Sequence, residues 1–334
     1  IGVVKADAYG SGQLKIAKKL ISLGIDILAV GYTPEGINLR KLDIKIPIIV
    51  FYPQILNLPE LIKNKLEPSL YSKKIWASFK NIIKEKKINN YPVHIKYNTG
   101  LNRLGFSTDD IIWIEQEIKA SPFMIKSIYS HLGESESQKP NEACENQIIS
   151  FEKIKKSHEN NGNRDIDFHI LNTSGIFNYP NLQYDAVRIG IGFHGYANNN
   201  DWDKKLKPIT KLKSIITQIH KVKKGDLVGY NSGWKASKDT KIAVLPIGHA
   251  DGISRSYSNS NAWVNVNGMK AYIVGNICMD MLMIDVGNIL CNEGDEVEIF
   301  GQLNSANDFS KKNKTISYEL ITSIGPRVKR VFLS

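Results

Sequence analysis

Eight short apolar runs, separated by amphipathic stretches, limit the folds open to this chain more than any other feature. They are Gly2–Ala6, Ile27–Gly31, Ile46–Tyr52, Leu66–Leu70, Val93–Tyr97, Ile125–His131, Asp167–Leu171 and Ala186–Ile189. Between them, apolar residues recur at helical spacing. In Gln13–Leu23, Leu14, Ala17, Leu20 and Ile21 share a face, and Gly24 is placed to stop the helix. Ile111–Ile118 and Phe151–His158 carry the same pattern. Strands alternating with helices build parallel sheets, and eight is the number that closes a (β/α)8 barrel. Periodicity by itself does not separate that barrel from an open doubly wound sheet.

After Lys205 strand-like alternation dominates, in Ile215–Val222, Ile242–Leu245, Trp263–Val266, Lys270–Val274, Leu282–Val286 and Glu296–Phe300. Asn267-Gly268 between two of these runs is a two-residue hairpin signal, and Glu293-Gly294-Asp295 is another turn. The expected organisation is a (β/α)8 barrel over 1–198 and a mostly antiparallel β domain over 199–334, a division that 334 residues accommodate. No apolar stretch approaches the roughly 18 residues of a membrane span, and no signal peptide is visible at the start. A chain that begins directly on a core strand is expected to have had a segment before it.

The net charge of +11 raises nucleic acid or anionic lipid as partners, but only seven of the 44 cations are arginine and the lysines are scattered among Ile and Asn. Without a zinc-finger, helix-turn-helix or RNP-like pattern, that composition argues for lysine bias rather than a binding surface. Cys144, Cys278 and Cys291 are odd in number and have no metal-ligand spacing, so a disulfide framework is not expected and a reducing cytoplasm is.

In a barrel the chemistry collects at the C-terminal ends of the strands. Those ends supply Lys5 and Tyr9, Lys96 with Arg103 in its loop, His131, then His169, Asn172, Thr173 and Ser174, and finally Arg188 followed by Gly190 and Gly192. Taken singly, each has an ordinary structural role open to it, as a surface cation, a satisfied histidine or a turn glycine. Together they make a cationic mouth with almost no carboxylate, suited to an anionic, phosphorylated ligand. Such a mouth does not suit a glycosidase or a hard-metal site. The opening VVKADAYGSG is not a phosphate-binding Walker loop, because its lysine precedes the glycines.

VVKADAYGSG resembles the cofactor-lysine motif of the alanine racemases, pyridoxal-phosphate enzymes with a (β/α)8 barrel and a C-terminal β domain. The likeness runs along the whole chain. It includes Lys96-Tyr97-Asn98-Thr99-Gly100, Arg103-Leu104-Gly105-Phe106, His131, Asn172-Thr173-Ser174 and Val187-Arg188-Ile189-Gly190-Ile191. In the second domain it continues with Val228-Gly229-Tyr230, Ala250-Asp251-Gly252, Ile277-Cys278-Met279-Asp280 and Ile316-Ser317-Tyr318.

The resemblance implies a homodimeric, cytoplasmic enzyme that interconverts L- and D-alanine and supplies D-alanine for peptidoglycan. Lys5 would bond the cofactor aldehyde and serve as one base; Tyr230, delivered by a second copy of the chain, would be the other. Arg188 would face the pyridine nitrogen. Tyr9, Asn172, Thr173, Tyr318 and the backbone at Gly190 and Ile191 would hold the cofactor, chiefly its phosphate. His131 would support Tyr230 and Arg188, with His169 behind Arg188. Arg103 and the Met279 amide would meet the substrate carboxylate, beside Cys278 and Asp280. Lys96 stands where many relatives are carbamylated, and His249, Arg255 and Ile316 would line the entrance. An arginine at the pyridine nitrogen keeps that atom unprotonated, which weakens the electron sink and disfavours transamination and decarboxylation.

The chain departs from the family pattern at a few places. His249 replaces a common tyrosine, a second tyrosine-like place is His194, Asn276 replaces an arginine, and Ser11 replaces a histidine. The expectation is that His249 retunes the entrance and leaves the chemistry intact. A broader or different amino-acid racemase, such as one for serine, stays open beside the alanine reading. So does a non-catalytic pyridoxal-phosphate protein, although such proteins lack the β domain. A decarboxylase of basic amino acids would want an acidic residue where Arg188 stands.

Overall fold

The computed structural model describes residues 1–137, 139, 141–163, 165–259 and 262–333. The chain forms two units, one of Ile1–Phe193 with Asn199–Trp202 and one of His194–Asn198 with Asp203–Ser334.

The first unit is built on seven parallel strands in sequential order: β1 (Gly2–Val3), β2 (Leu28–Val30), β3 (Ile48–Val50), β4 (Glu67–Leu70), β5 (Tyr91–Lys96), β6 (Phe123–Tyr129) and β7 (Asp167–His169). Leu28, Ala29, Val30, Ile48, Ile49 and Val50 are wholly buried, as strands covered on both faces require. Helices follow the strands, among them Gln13–Ser22, Lys73–Glu85, Ile111–Ala120 and Glu142–Asn160. The first of these stops where expected, with the Ile25 N–H returning to Leu20 O beyond Gly24.

The eighth segment is shorter than the sequence suggests. Of Ala186–Ile189, Ile189 alone pairs, bridging in parallel to Gly2. Backbone bonds still hold the segment on both sides. Arg188 N donates to Leu171 O (3.1 Å), Val3 N to Ile189 O (2.8 Å) and Ile189 N to Ile1 O (3.0 Å). Pairing ends here because the chain leaves the strand direction at Gly190, whose N–H turns to Thr173 Oγ1 at 3.4 Å.

The first strand is also shorter than expected. It ends at Val3, and Lys5–Tyr9 forms one turn of helix in which Ala6, Asp7, Ala8 and Tyr9 are left-handed, with φ of 51°, 53°, 50° and 56°. Such a conformation costs an L-residue roughly 1–2 kcal/mol, so it needs outside support. Glu35 supplies it by accepting from Ala6 N (2.6 Å), Gly31 N (2.7 Å) and Tyr32 N (3.1 Å). Asp7 adds a second brace by accepting from Gln13 N at 2.7 Å.

The second unit is an antiparallel sheet of β8 (Leu212–Ile215), β9 (Gln218–Val222), β12 (Thr240–Leu245), β13 (Trp263–Val266), β14 (Met269–Val274), β15 (Leu282–Asp285) and β16 (Glu296–Phe300), with a small pair of β10 (Leu227–Val228) and β11 (Trp234–Lys235). The order is β8-β16-β13-β14-β15-β12-β9. The run Ile215–Val222, which reads as one strand, is two. Ile216 N bonds Asp295 O and Thr217 N bonds Val244 O, so the chain changes partners between β16 and β12 at that point. One segment thereby supplies both outer strands of the sheet. Asn267 (φ 51°) and Gly268 (φ 83°) make the expected tight hairpin between β13 and β14. Two short helices, Ala306–Lys311 and Ser317–Ser323, have no counterpart in the sequence reading.

Candidate active site

The C-terminal ends of the strands in the first unit gather the cations that the sequence places there. Arg188 is the most heavily bound. Its Nη1 donates to His169 Nδ1 (2.6 Å) and His169 O (3.3 Å). Its Nη2 donates to Ser130 O (2.7 Å), Ile170 O (3.0 Å) and His131 Nδ1 (3.1 Å). Its guanidinium carbon lies 5.2 Å from the Tyr129 ring centre, and Tyr129 stacks on His169 with centroids 4.9 Å apart. Burial lowers the Arg188 pKa to about 10, which still leaves it a cation at neutral pH.

Lys96, at the end of β5, sits over the rings of Tyr52 (5.5 Å) and Tyr129 (5.8 Å). Its pKa is brought down to about 7, first by burial and then by the charges of Arg103, Arg188 and Lys5. The Lys5 amine is lowered too, by burial and then by Arg103, against a smaller pull from Glu35. His131 and His169 are pushed well below the usual imidazole range by burial and then by Arg188. Both rings are therefore neutral, and each turns a bare Nδ1 to the guanidinium.

Arg103 is exposed, on a loop pinned by Asn98 N to Phe106 O and Phe106 N to Lys96 O, both 2.9 Å. Its charge reaches Lys5, Lys96 and His131.

Hydroxyls and backbone amides of a kind that can bind an anion come together next to Arg188. Thr173 Oγ1 lies 3.4 Å from Gly190 N and 3.3 Å from Gly192 N. A Cβ added at Gly190 would run into the Tyr9 hydroxyl, so glycine there is what lets the backbone amides and the tyrosine meet. Burial raises the Tyr9 pKa, which keeps its hydroxyl protonated. Through Oδ1, the Asn172 side chain caps the helix Thr173–Asn178 by accepting from Gly175 N at 3.0 Å.

The other residues singled out from the sequence lie in the second unit. Tyr230 is 70% exposed on the turn after β10, where Asn276 Nδ2 bonds its carbonyl at 2.8 Å. Met279 is also exposed. Cys278 O and Met279 O accept from His249 N and Ala250 N, both at 3.0 Å, which ties the His249 loop to Cys278-Met279-Asp280. Arg327 closes the same region by bridging Asp280 (2.8 Å) and Asp251 (2.9 Å). His249 and Arg255 share the lining of a cavity of about 340 Å³ with Tyr257, Thr315 and Glu319. Ile316 is exposed, and Tyr318 is half-buried in the first turn of Ser317–Ser323. His194, buried, has its pKa lowered to about 4 by desolvation.

The sequence reading missed several supports. Glu35 braces the Lys5 turn. Gln147 holds the His131 loop by donating to His131 O (3.0 Å) and accepting from Gly133 N (2.8 Å). Tyr129 and Tyr52 underlie the cations. A signal existed for Glu35 alone: Thr33-Pro34-Glu35 is a helix start, and its glutamate is free to cap backbone nearby.

Clustered basic side chains, neutral histidines and backbone amides beside the Thr173 and Tyr9 hydroxyls fit a ligand with a phosphate and an electron-rich ring nitrogen. The donor set therefore fits pyridoxal phosphate. The comparisons agree with that chemistry. Residues 1–198 match the family model "Alanine racemase, N-terminal domain" and residues 209–332 match "Alanine racemase, C-terminal domain". The alanine racemase of Clostridium kluyveri is 35% identical over all of this chain and 87% of its own length. The solved alanine racemase of Clostridium difficile 630 is 32% identical, with a TM-score of 0.90 over 98% of this chain and 87% of that one. That of Bartonella henselae, solved with covalently bound pyridoxal phosphate, is 26% identical, with a TM-score of 0.89 over 99% of this chain and 92% of that one. On these matches, which run the length of both units, the chain belongs to the alanine racemase family.

Proposed function

We propose that this chain is a pyridoxal-phosphate-dependent racemase that interconverts L- and D-alanine, with Lys5 and Tyr230 as its two bases. The observation that carries the reading is Arg188, a buried cation held by two neutral histidines among three further basic side chains. Lys5 would bond the cofactor; Tyr9, Thr173, Tyr318 and the amides at Gly190 and Ile191 would hold its phosphate, and Arg188 would donate to its ring nitrogen. When bound, the cofactor withdraws electrons from the amino acid's Cα and acidifies the proton there.

Racemisation needs that proton removed from one face and another returned to the opposite face. One base would have to cross the ring plane, whereas two need not move. Lys5 serves one face, and its lowered pKa favours the neutral amine that accepts a proton. Tyr230 of a second copy serves the other, so the active form is a two-fold dimer. The exposure of Tyr230 and Met279 is consistent with that assignment. Arg103 and the Met279 amide orient the substrate carboxylate, and His131 supports Arg188 and Tyr230. Lys96, if carbamylated, gives Arg103 a carboxylate-like partner. The enzyme works in the cytoplasm, where its three free cysteines stay reduced, and it supplies D-alanine for cell-wall synthesis.

The test is exchange between L- and D-alanine. Lys5→Ala should lose the cofactor absorbance band and all exchange. Tyr230→Phe should keep the band and lose exchange by at least about 100-fold, the scale of an acid–base contribution. Full activity in Tyr230→Phe would refute the two-base scheme.

A further inference from the structure

The chain of polar contacts that starts at Arg188 continues through the barrel interior. His169 Nε2 lies 2.9 Å from Ser127 Oγ, Ser127 Oγ lies 2.7 Å from His94 Nδ1, and His94 Nε2 lies 2.9 Å from Glu67 Oε2. The members stand on consecutive strands: Glu67 on β4, His94 on β5, Ser127 on β6 and His169 on β7, with Arg188 on the eighth segment. His94, Ser127, His169 and Arg188 are each 4% exposed or less, and Glu67 is 9% exposed. Barrel interiors are ordinarily filled by branched apolar side chains, and buried polar groups are costly unless fully paired.

The hydrogen-bond roles follow from one end. A guanidinium only donates, so His169 accepts at Nδ1 and carries its ring proton on Nε2. That proton goes to Ser127 Oγ, whose own hydroxyl proton goes to His94 Nδ1. His94 then carries its proton on Nε2 and gives it to the Glu67 carboxylate. Every bond thus points the same way, from buried cation to buried anion. A doubly protonated His94 would aim a second donor at Ser127 Oγ and leave the serine proton without the acceptor it now has. Arg40 lies near enough to Glu67 to interact with its charge.

We propose that Glu67, His94 and Ser127 are positioning residues: they lock His169 into the Nε2–H form, so that its Nδ1 lone pair fixes the guanidinium of Arg188. With Nη1 and Nη2 engaged, Nε–H is the donor left for a ring nitrogen. For its effect on catalysis the inference rests on the racemase reading. The locked tautomer is a property of the chain itself.

The experiment measures both. Imidazole nitrogen NMR on the 15N-labelled holoenzyme, and on the protein stripped of cofactor, should show His169 and His94 neutral with the proton on Nε2. Ser127→Ala should lose the single His169 form and about tenfold in kcat, the scale of one buried unpaired donor, with KM for alanine within about twofold. Ser127→Thr, which keeps the hydroxyl, should restore both. Glu67→Gln still accepts through its amide oxygen, so it should keep the His169 form and stay within about threefold in kcat. This variant and the wild-type spectrum decide the matter if Ser127→Ala does not fold. His169 protonated on Nδ1, an unchanged kcat in Ser127→Ala, or a loss that threonine does not repair would overturn the proposal. A wild-type protein that does not exchange alanine rejects the racemase reading instead, and the NMR spectrum then judges the lock alone.

Discussion

Glu35 ties a helix start to the left-handed turn that carries Lys5, and its removal has a calculable cost. Its Oε1 accepts from Ala6 N, and its Oε2 accepts from Gly31 N and Tyr32 N. A hydrogen bond to a charged acceptor contributes about 1.5–3 kcal/mol when buried. Gly31 is buried, while Ala6 and Tyr32 are exposed and regain water. Glu35→Ala should then cost about 2 kcal/mol at Gly31 and about 0.5 kcal/mol at each of the others, or about 3 kcal/mol in all. The turn it braces holds four left-handed residues at a penalty of roughly 4–8 kcal/mol, so that loss is large enough to let the turn relax. Glu35→Gln separates the two halves of the effect. One amide oxygen can serve the Gly31–Tyr32 pair, which leaves the amide NH2 facing Ala6 N–H, donor against donor. Stability should fall by only about 1 kcal/mol, yet Lys5 should be displaced as in the alanine variant. Urea unfolding supplies the free energies, and amide exchange of the segment 5–10 reports the turn. Unfolding of Glu35→Ala within about 0.5 kcal/mol of wild type, the range of an ordinary surface substitution, with unchanged exchange at 5–10, would refute the reasoning.

Two further outcomes follow from the same site. Gly190→Ala puts a methyl group into the Tyr9 hydroxyl, so cofactor affinity should fall at least about tenfold by titration, one lost or displaced hydrogen bond, while circular dichroism is unchanged. Wild-type affinity would show that Tyr9 and the Gly190 amide do not meet on the ligand. Lys96, with a folded pKa of about 7 against roughly 10.5 unfolded, penalises folding. Between those values the unfolded chain holds a proton that the folded one has released, so stability from this group rises with pH across that window. Lys96→Met should stabilise the cofactor-free protein near pH 7 by on the order of 4 kcal/mol in CO2-free buffer, with the gain vanishing towards pH 10.5. Parallel stability–pH curves for the two proteins would show that the cation cluster carries no such strain.

The division between what the sequence shows and what it hides has a physical basis. The strands around Leu28–Val30 and Ile48–Val50 are legible because burial on both faces leaves unbroken apolar runs. Lys5, Lys96, His131 and Arg188 are legible because polar residues that close an apolar run mark a strand end. The left-handed turn is not, since Ala6 and Ala8 have no preference for it and its brace, Glu35, sits thirty residues on in another helix cap. Glu67, His94 and Ser127 are hidden for a different reason. A polar residue inside a strand reads as the solvent-facing half of an alternating pattern, and closure of the sheet is what turns it inward. Their burial then inverts the usual argument: a position that looks like an unremarkable surface residue becomes one the core tolerates only when both ends of its hydrogen-bond chain are satisfied. The cation at one end and the carboxylate at the other meet that condition together. Arg188 and Glu67, four strands apart, are in this sense one element of the site, although only the former stands at a strand end where chemistry is ordinarily sought.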